Sequence, residues 1–135
     1  MAESNIVTDW VVFEPYFSKE EFDCSFTGEN QMLEEFMTRL FELRVSLGFP
    51  FVITSGYRSP THPVEARKAS PGTHAQGIAC DIQITNGYDA GRLIQEALKM
   101  GFKGIGVAQD ADRPRDARFI HLDLRDSPFP IVWSY

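Results

Sequence analysis

Three polar side chains stand where the surrounding residues read as core. His74 opens the stretch His-Ala-Gln-Gly-Ile-Ala-Cys-Asp that ends at Asp81, and His121 follows in Ile-His-Leu-Asp, residues 120–123. Two imidazoles and one carboxylate form a donor set for a catalytic zinc ion, with a fourth position left for water. Zinc in such a setting lowers the pKa of that water toward neutrality and makes it a hydrolytic nucleophile. Gly77 and Ala79 suit the same picture, because small residues let backbone and substrate come close to a metal. The spacing alone also allows a plainer arrangement, in which one histidine is hydrogen-bonded in a polar pocket and the other lies on the surface.

Further candidates follow from strand alternation. Over residues 78–84, Ile78, Cys80, Ile82 and Ile84 point one way, and Ala79, Asp81 and Gln83 the other. Over residues 119–124, Ile120, Leu122 and Leu124 point to the core and Phe119, His121 and Asp123 away from it. Asp123 thereby becomes the first candidate for the general base, with orientation of a ligand as its alternative role. Asp116, in the turn before that strand, is the second. Arg58 ends the apolar run FVITSGYRS, where a guanidinium beside a cleft can hold a carboxylate through two hydrogen bonds. Tyr57 and Trp133 are candidates to line that cleft, and His62 to hydrogen-bond its own loop or to touch substrate.

The elements that must position these residues are legible from pattern. Ser18 and Glu21 form a capping box for a short helix ending near Asp23. From Asn30, apolar residues at three- and four-residue spacing (Leu33, Phe36, Met37, Leu40, Leu43, Leu47) predict a helix stopped by Gly48. FVITS reads as a core strand, residues 59–77 as a long functional loop, IACDIQI as a strand, and Asp89 to Met100 as a second amphipathic helix. KGIGVA and RFIHLDL complete the set as two late strands. This order predicts an α+β domain, a small antiparallel sheet with helices on one face.

Composition narrows the function classes. A length of 135 residues suits one domain spanning 1–135. A net charge of -6 without a basic stripe argues against nucleic-acid binding. No apolar run is long enough for a membrane span, and the N-terminal residues lack the pattern of an export signal, so synthesis in the cytoplasm and a monomer are expected. Cys24 and Cys80 read as reduced, buried thiols.

Three motifs in order, SGYRSP at Ser55–Pro60, H-x-x-G-x-A-x-D at His74–Asp81 and I-H-L-D-L at Ile120–Leu124, resemble the zinc D-alanyl-D-alanine carboxypeptidase family. That family includes many phage endolysins and shares its fold with the hedgehog signalling domain. The likeness runs from about Phe17 to Trp133. It implies a hedgehog/DD-peptidase-like fold, zinc held by His74, Asp81 and His121, a substrate carboxylate at Arg58, and peptidoglycan stem peptides as substrate. Cleavage would be by a D,D-carboxypeptidase or an endopeptidase, reaching the wall after release from the host cell or within a virion. The chain departs from the family in two places: Arg118 stands where several relatives carry an acid, and His62-Pro63-Val64-Glu65-Ala66-Arg67-Lys68 stands where relatives often have a His-Asn and glycine-rich stretch. A catalytically inactive binding module or phage tail component on the same fold is the alternative.

Overall fold

The computed structural model describes residues 5–135. Its regular elements are α1 (Glu34–Leu47), β1 (Val52–Ser55), β2 (Ala79–Gln83), α2 (Gly87–Lys99), β3 (Gly104–Ala108), β4 (Phe119–Asp123) and β5 (Ile131–Ser134), with short 3-10 turns at Trp10–Phe13, Lys19–Phe22 and Arg115–Ala117. The strands form one sheet in the order β1-β2-β4-β3-β5. β1–β2, β2–β4 and β4–β3 pair antiparallel, and β5 joins β3 in parallel. The fold is α+β, a mostly antiparallel sheet with two helices, consistent with a small hedgehog/DD-peptidase-like architecture.

Alternation along the central strands decides which face carries the helices. Cys80, Ile82, Ile84, Ile105, Ile120 and Leu122 share one buried cluster with Phe36, Met37, Leu40, Leu43 and Leu47 of α1 and Ala90, Leu93 and Ala97 of α2. The helices cap one another. Arg92 of α2 donates to the carbonyl of Leu47 at 3.0 Å, and Arg39 of α1 donates to that of Met100 at 3.3 Å, supplying partners for carbonyls that a helix end leaves unmatched. The opposite sheet face carries Asp81 and His121 and is left for chemistry.

The structure corrects the pattern reading in three places. Helix α1 begins at Glu34, not just after Asn30, because residues 31–33 are extended and used elsewhere. Met32 accepts from the N–H of Val7, Leu33 bridges Ile6, and the N–H of Leu33 donates to Gly77 at 3.0 Å. Asn30 serves a local turn instead, accepting from the N–H of Met32 and donating to Asp23. Strand β1 is an edge strand, with Val52 half exposed, not a core strand. Finally, β5 went unpredicted, since Pro128 and Pro130 in SPFPIVWS read as loop and its four residues are mostly exposed.

Gly77 ties the loop that carries His74 to the segment before α1. Its φ is +74°, and a Cβ there would run into the carbonyl of Gln31. Gly91, in the exposed middle of α2, has open space around it and an ordinary helical backbone. In urea denaturation, Gly77→Ala should lower stability by about 2 kcal/mol or more, whereas Gly91→Ala should raise it by about 0.5–1 kcal/mol. Equal and small effects from the two substitutions would remove Gly77 as a fixed point of the site.

Candidate metal centre

The pairing of β2 with β4 sets Asp81 directly opposite His121, and residues opposite one another in a ladder project to the same face. His74 arrives from the loop before β2. A bulge in β1 between Ile53 and Ser55 lies opposite Asp81 and turns the chain at Gly56, whose carbonyl sits 2.7 Å from His74 Nδ1. The N–H of Arg58 donates to the His74 carbonyl at 3.3 Å, so the end of β1 grips the loop on both sides of the imidazole. His74 Nε2 then lies 3.3 Å and His121 Nδ1 3.0 Å from the same oxygen, Asp81 Oδ1. One candidate donor atom from each residue falls within 4.8 Å of the other two, and all three residues are buried.

Hydrogen bonding behind the rings settles which nitrogen faces inward. A carbonyl only accepts, so His74 donates Nδ1–H to Gly56 and leaves its Nε2 lone pair facing Asp81. His121 lies between two carboxylates, with Nε2 2.7 Å from Asp123 Oδ2 and Nδ1 3.0 Å from Asp81 Oδ1; the tautomer that donates Nε2–H along the shorter contact presents its Nδ1 lone pair beside Asp81. In that tautomer three lone-pair donors converge. Burying such a group is costly unless a proton or a cation joins it. Without a metal the cluster favours a proton: burial opposes charge on His121, but its bonds to Asp123 and Asp81 outweigh that and raise its pKa. Burial likewise opposes ionisation of Asp81, but the bonds from His121 and His74 hold its carboxyl well below the usual carboxylate range. Two imidazoles and a carboxylate fit a divalent transition metal.

Asp123 is completely buried and supports the centre from behind. Arg125 donates its backbone N–H to Oδ1 at 2.9 Å, Nε to Oδ1 at 3.0 Å and Nη2 to Oδ2 at 2.7 Å. The carboxylate lies over Gly104, where any Cβ would overlap it. Gly106 does the same for β5: a Cβ there would stand 2.9 Å from the Trp133 ring and 2.8 Å from the Tyr135 hydroxyl. Trp133 packs on His121 with ring centroids 5.1 Å apart, and Arg125 stacks on the outer part of that wall, 4.6 Å from the Trp133 ring. Sequence reasoning missed Arg125 and the meaning of both glycines. The signals were present, since His121, Asp123 and Arg125 continue one alternation and Gly104 and Gly106 occupy alternate positions in a strand.

The centre floors an open cleft of about 450 Å³ whose walls include Arg58, Trp133 and Tyr135. Arg58 stands at its edge, with Nη2 3.7 Å from Asp81 Oδ2. Other predicted residues lie elsewhere. Neither Asp123 nor Asp116 lines the cleft; Asp116 is exposed on the turn Arg115–Ala117, where its carbonyl accepts from the Gln83 side chain at 2.6 Å. Tyr57, expected at the cleft, is buried in the core. His62 accepts the N–H of Val64 at 3.1 Å within its own loop.

Ligands and their supports should separate in metal titrations against a chromophoric chelator. His74→Ala should abolish tight binding, while Asp123→Asn should keep the fold and lower affinity by about 10–100-fold, the usual effect of removing the partner that orients a ligating histidine. Unchanged affinity in Asp123→Asn would show that the His121 tautomer does not depend on it.

Comparison with curated proteins returns no match. The profile described as peptidase M15 matches residues 15–123, which takes in the β1 end, the loop, β2 and β4 and every candidate ligand. With that match over most of its length and a His-Asp-His group positioned for a metal, the chain belongs to the peptidase M15 family.

Proposed function

We propose that this peptidase is a zinc enzyme that hydrolyses peptide bonds in bacterial peptidoglycan. The observation that carries the reading is the convergence of His74 Nε2, Asp81 Oδ1 and His121 Nδ1 on the floor of an open cleft, beside a guanidinium. A zinc ion held by those atoms would supply a Lewis acid for the scissile carbonyl and a water acidic enough to attack it near neutral pH.

The chain's own residues do the rest. Arg58 binds a carboxylate of the peptide and fixes its register in the cleft. Trp133 and Tyr135 also line the cleft. Burial pushes the Tyr135 phenol above its ordinary pKa, so it remains a neutral hydroxyl. Asp123 is fully occupied by Arg125 and His121, and we assign it to holding the imidazole rather than to carrying the proton. A terminal carboxylate at Arg58 suits a D,D-carboxypeptidase, and the openness of the cleft leaves room for an endopeptidase substrate. Action on the wall after release from a host cell, as for an endolysin, fits the motifs noted in the sequence.

One observation favours a second reading. Among the described residues, Asp81 is the sole carboxylate lining the cleft, so a general base of the ordinary kind is missing from its surface. A module that holds zinc and binds wall peptides without cutting them would need none.

Digestion of purified peptidoglycan, with products identified by mass spectrometry, decides between the two. The peptidase reading predicts soluble peptides whose release stops on chelation and returns with one equivalent of zinc. Arg58→Ala should raise KM about 10–100-fold while zinc stays bound, as expected for loss of a charge-assisted pair. Wild-type protein that holds zinc but releases nothing would establish the binding module.

A further inference from the structure

The loop between β1 and β2 contains a buried acid that the proposed chemistry does not use. The side chain of Glu65 is 1% exposed. Its Oε1 accepts the N–H of Gly72 at 3.0 Å, and its Oε2 accepts from Lys68 Nζ at 2.7 Å. Arg58 Nη1 lies 3.9 Å from the same Oε2. Two cations therefore meet over one carboxylate oxygen, and both line the cleft that holds His74, Asp81 and His121. Glu65 lies beneath them, outside that lining.

The hydrogen-bond capacity of the two cations is largely unspent. Arg58 approaches Glu65 and Asp81 at 3.9 and 3.7 Å, beyond hydrogen-bond reach, and no guanidinium hydrogen bond to another described residue is formed. Lys68 uses one of its three N–H groups on Glu65 and is 40% exposed. Gly72 leaves room for that ammonium, since a Cβ there would stand 2.5 Å from Lys68 Nζ. Two full positive charges with free donors, held side by side from below, make a receptor for a single anionic group.

We infer that Lys68 and Arg58 together form a two-cation subsite for one substrate carboxylate, with Glu65 as the positioning residue that holds both. Lys68 is then a specificity-determining residue. The inference rests on the reading of Arg58 as a carboxylate anchor, but it is tested by binding and needs no turnover.

The probes are an N-acetylated dipeptide and its C-terminal amide, titrated calorimetrically into the zinc-loaded full chain. Wild type should prefer the acid by about tenfold or more, and Lys68→Met should cut that preference by about 3–10-fold, the net contribution of one hydrogen bond at a partly exposed site. Glu65→Gln should cut it similarly while zinc content and melting temperature stay near wild type. An undiminished preference in Lys68→Met overturns the subsite. So does a Glu65→Gln protein that loses zinc and thermal stability while Lys68→Met is unaffected, because Glu65 would then be only a loop clasp. A wild type with no acid preference overturns it as well, whereas a clear preference in a protein that cleaves no wall peptide upholds the subsite and removes the peptidase reading instead.

Discussion

Three buried lone pairs pointing at one another are the constraint on which this molecule is organised. Asp81 Oδ1 lies within 3.3 Å of both His74 Nε2 and His121 Nδ1, with all three residues largely buried at the floor of the cleft. The outer nitrogens face Gly56 and Asp123, which leaves the inner ones to share a cation with Asp81. The cost of burying such a group is offset only by a positive charge at its centre. A metal held there would couple its binding to folding, and without one the bonds to Asp123 and Asp81 favour a proton on His121.

Much of the remaining structure serves to hold that geometry. The antiparallel register of β2 and β4 supplies two of the donors, and a one-residue slip of either strand would send its donor to the core face. The third donor depends on a loop, which is the softer kind of support. It is stiffened at Gly77 by the pairing with Leu33, at Arg58 by the His74 carbonyl, and at Gly72 by Glu65. Gly104 and Gly106 keep the β3 surface bare so that the Asp123 carboxylate and the Trp133 ring can lie on it.

The family match and the chain's own features divide the site between them. The match ends at residue 123, with the last ligand and its carboxylate partner inside it. Arg125, Trp133 and Tyr135, which clamp that partner and build one wall of the cleft, follow after it. The candidate ligands, with Arg58 and Lys68, thus fall inside the match, and one wall of the cleft falls outside it. Fold and metal ligands alone would not tell this protein from a relative with a different substrate.

What was legible in the sequence was whatever depends on local periodicity. Alternation placed Asp81, His121 and Asp123 on one face of their strands, and three- and four-residue spacing located α1 and α2, because side-chain direction is set by the backbone repeat. Residue type then limited the chemistry, since His, Asp and His offer few functions but many ways of being arranged. Only the tertiary structure decided the rest. Which ring nitrogens face inward depends on Gly56 and Asp123, and the fate of Asp123 depends on Arg125. Tyr57 went to the core because its backbone joins the carbonyl of Phe22, far away in the chain. The start of α1 was displaced by contacts with residues 5–7 and Gly77, which outweigh helix propensity over three residues. Strand β5 owes its existence to the open edge of β3, a partner absent from its own sequence. Periodicity is a property of a segment; orientation, burial and hydrogen-bond partners are properties of what the segment meets.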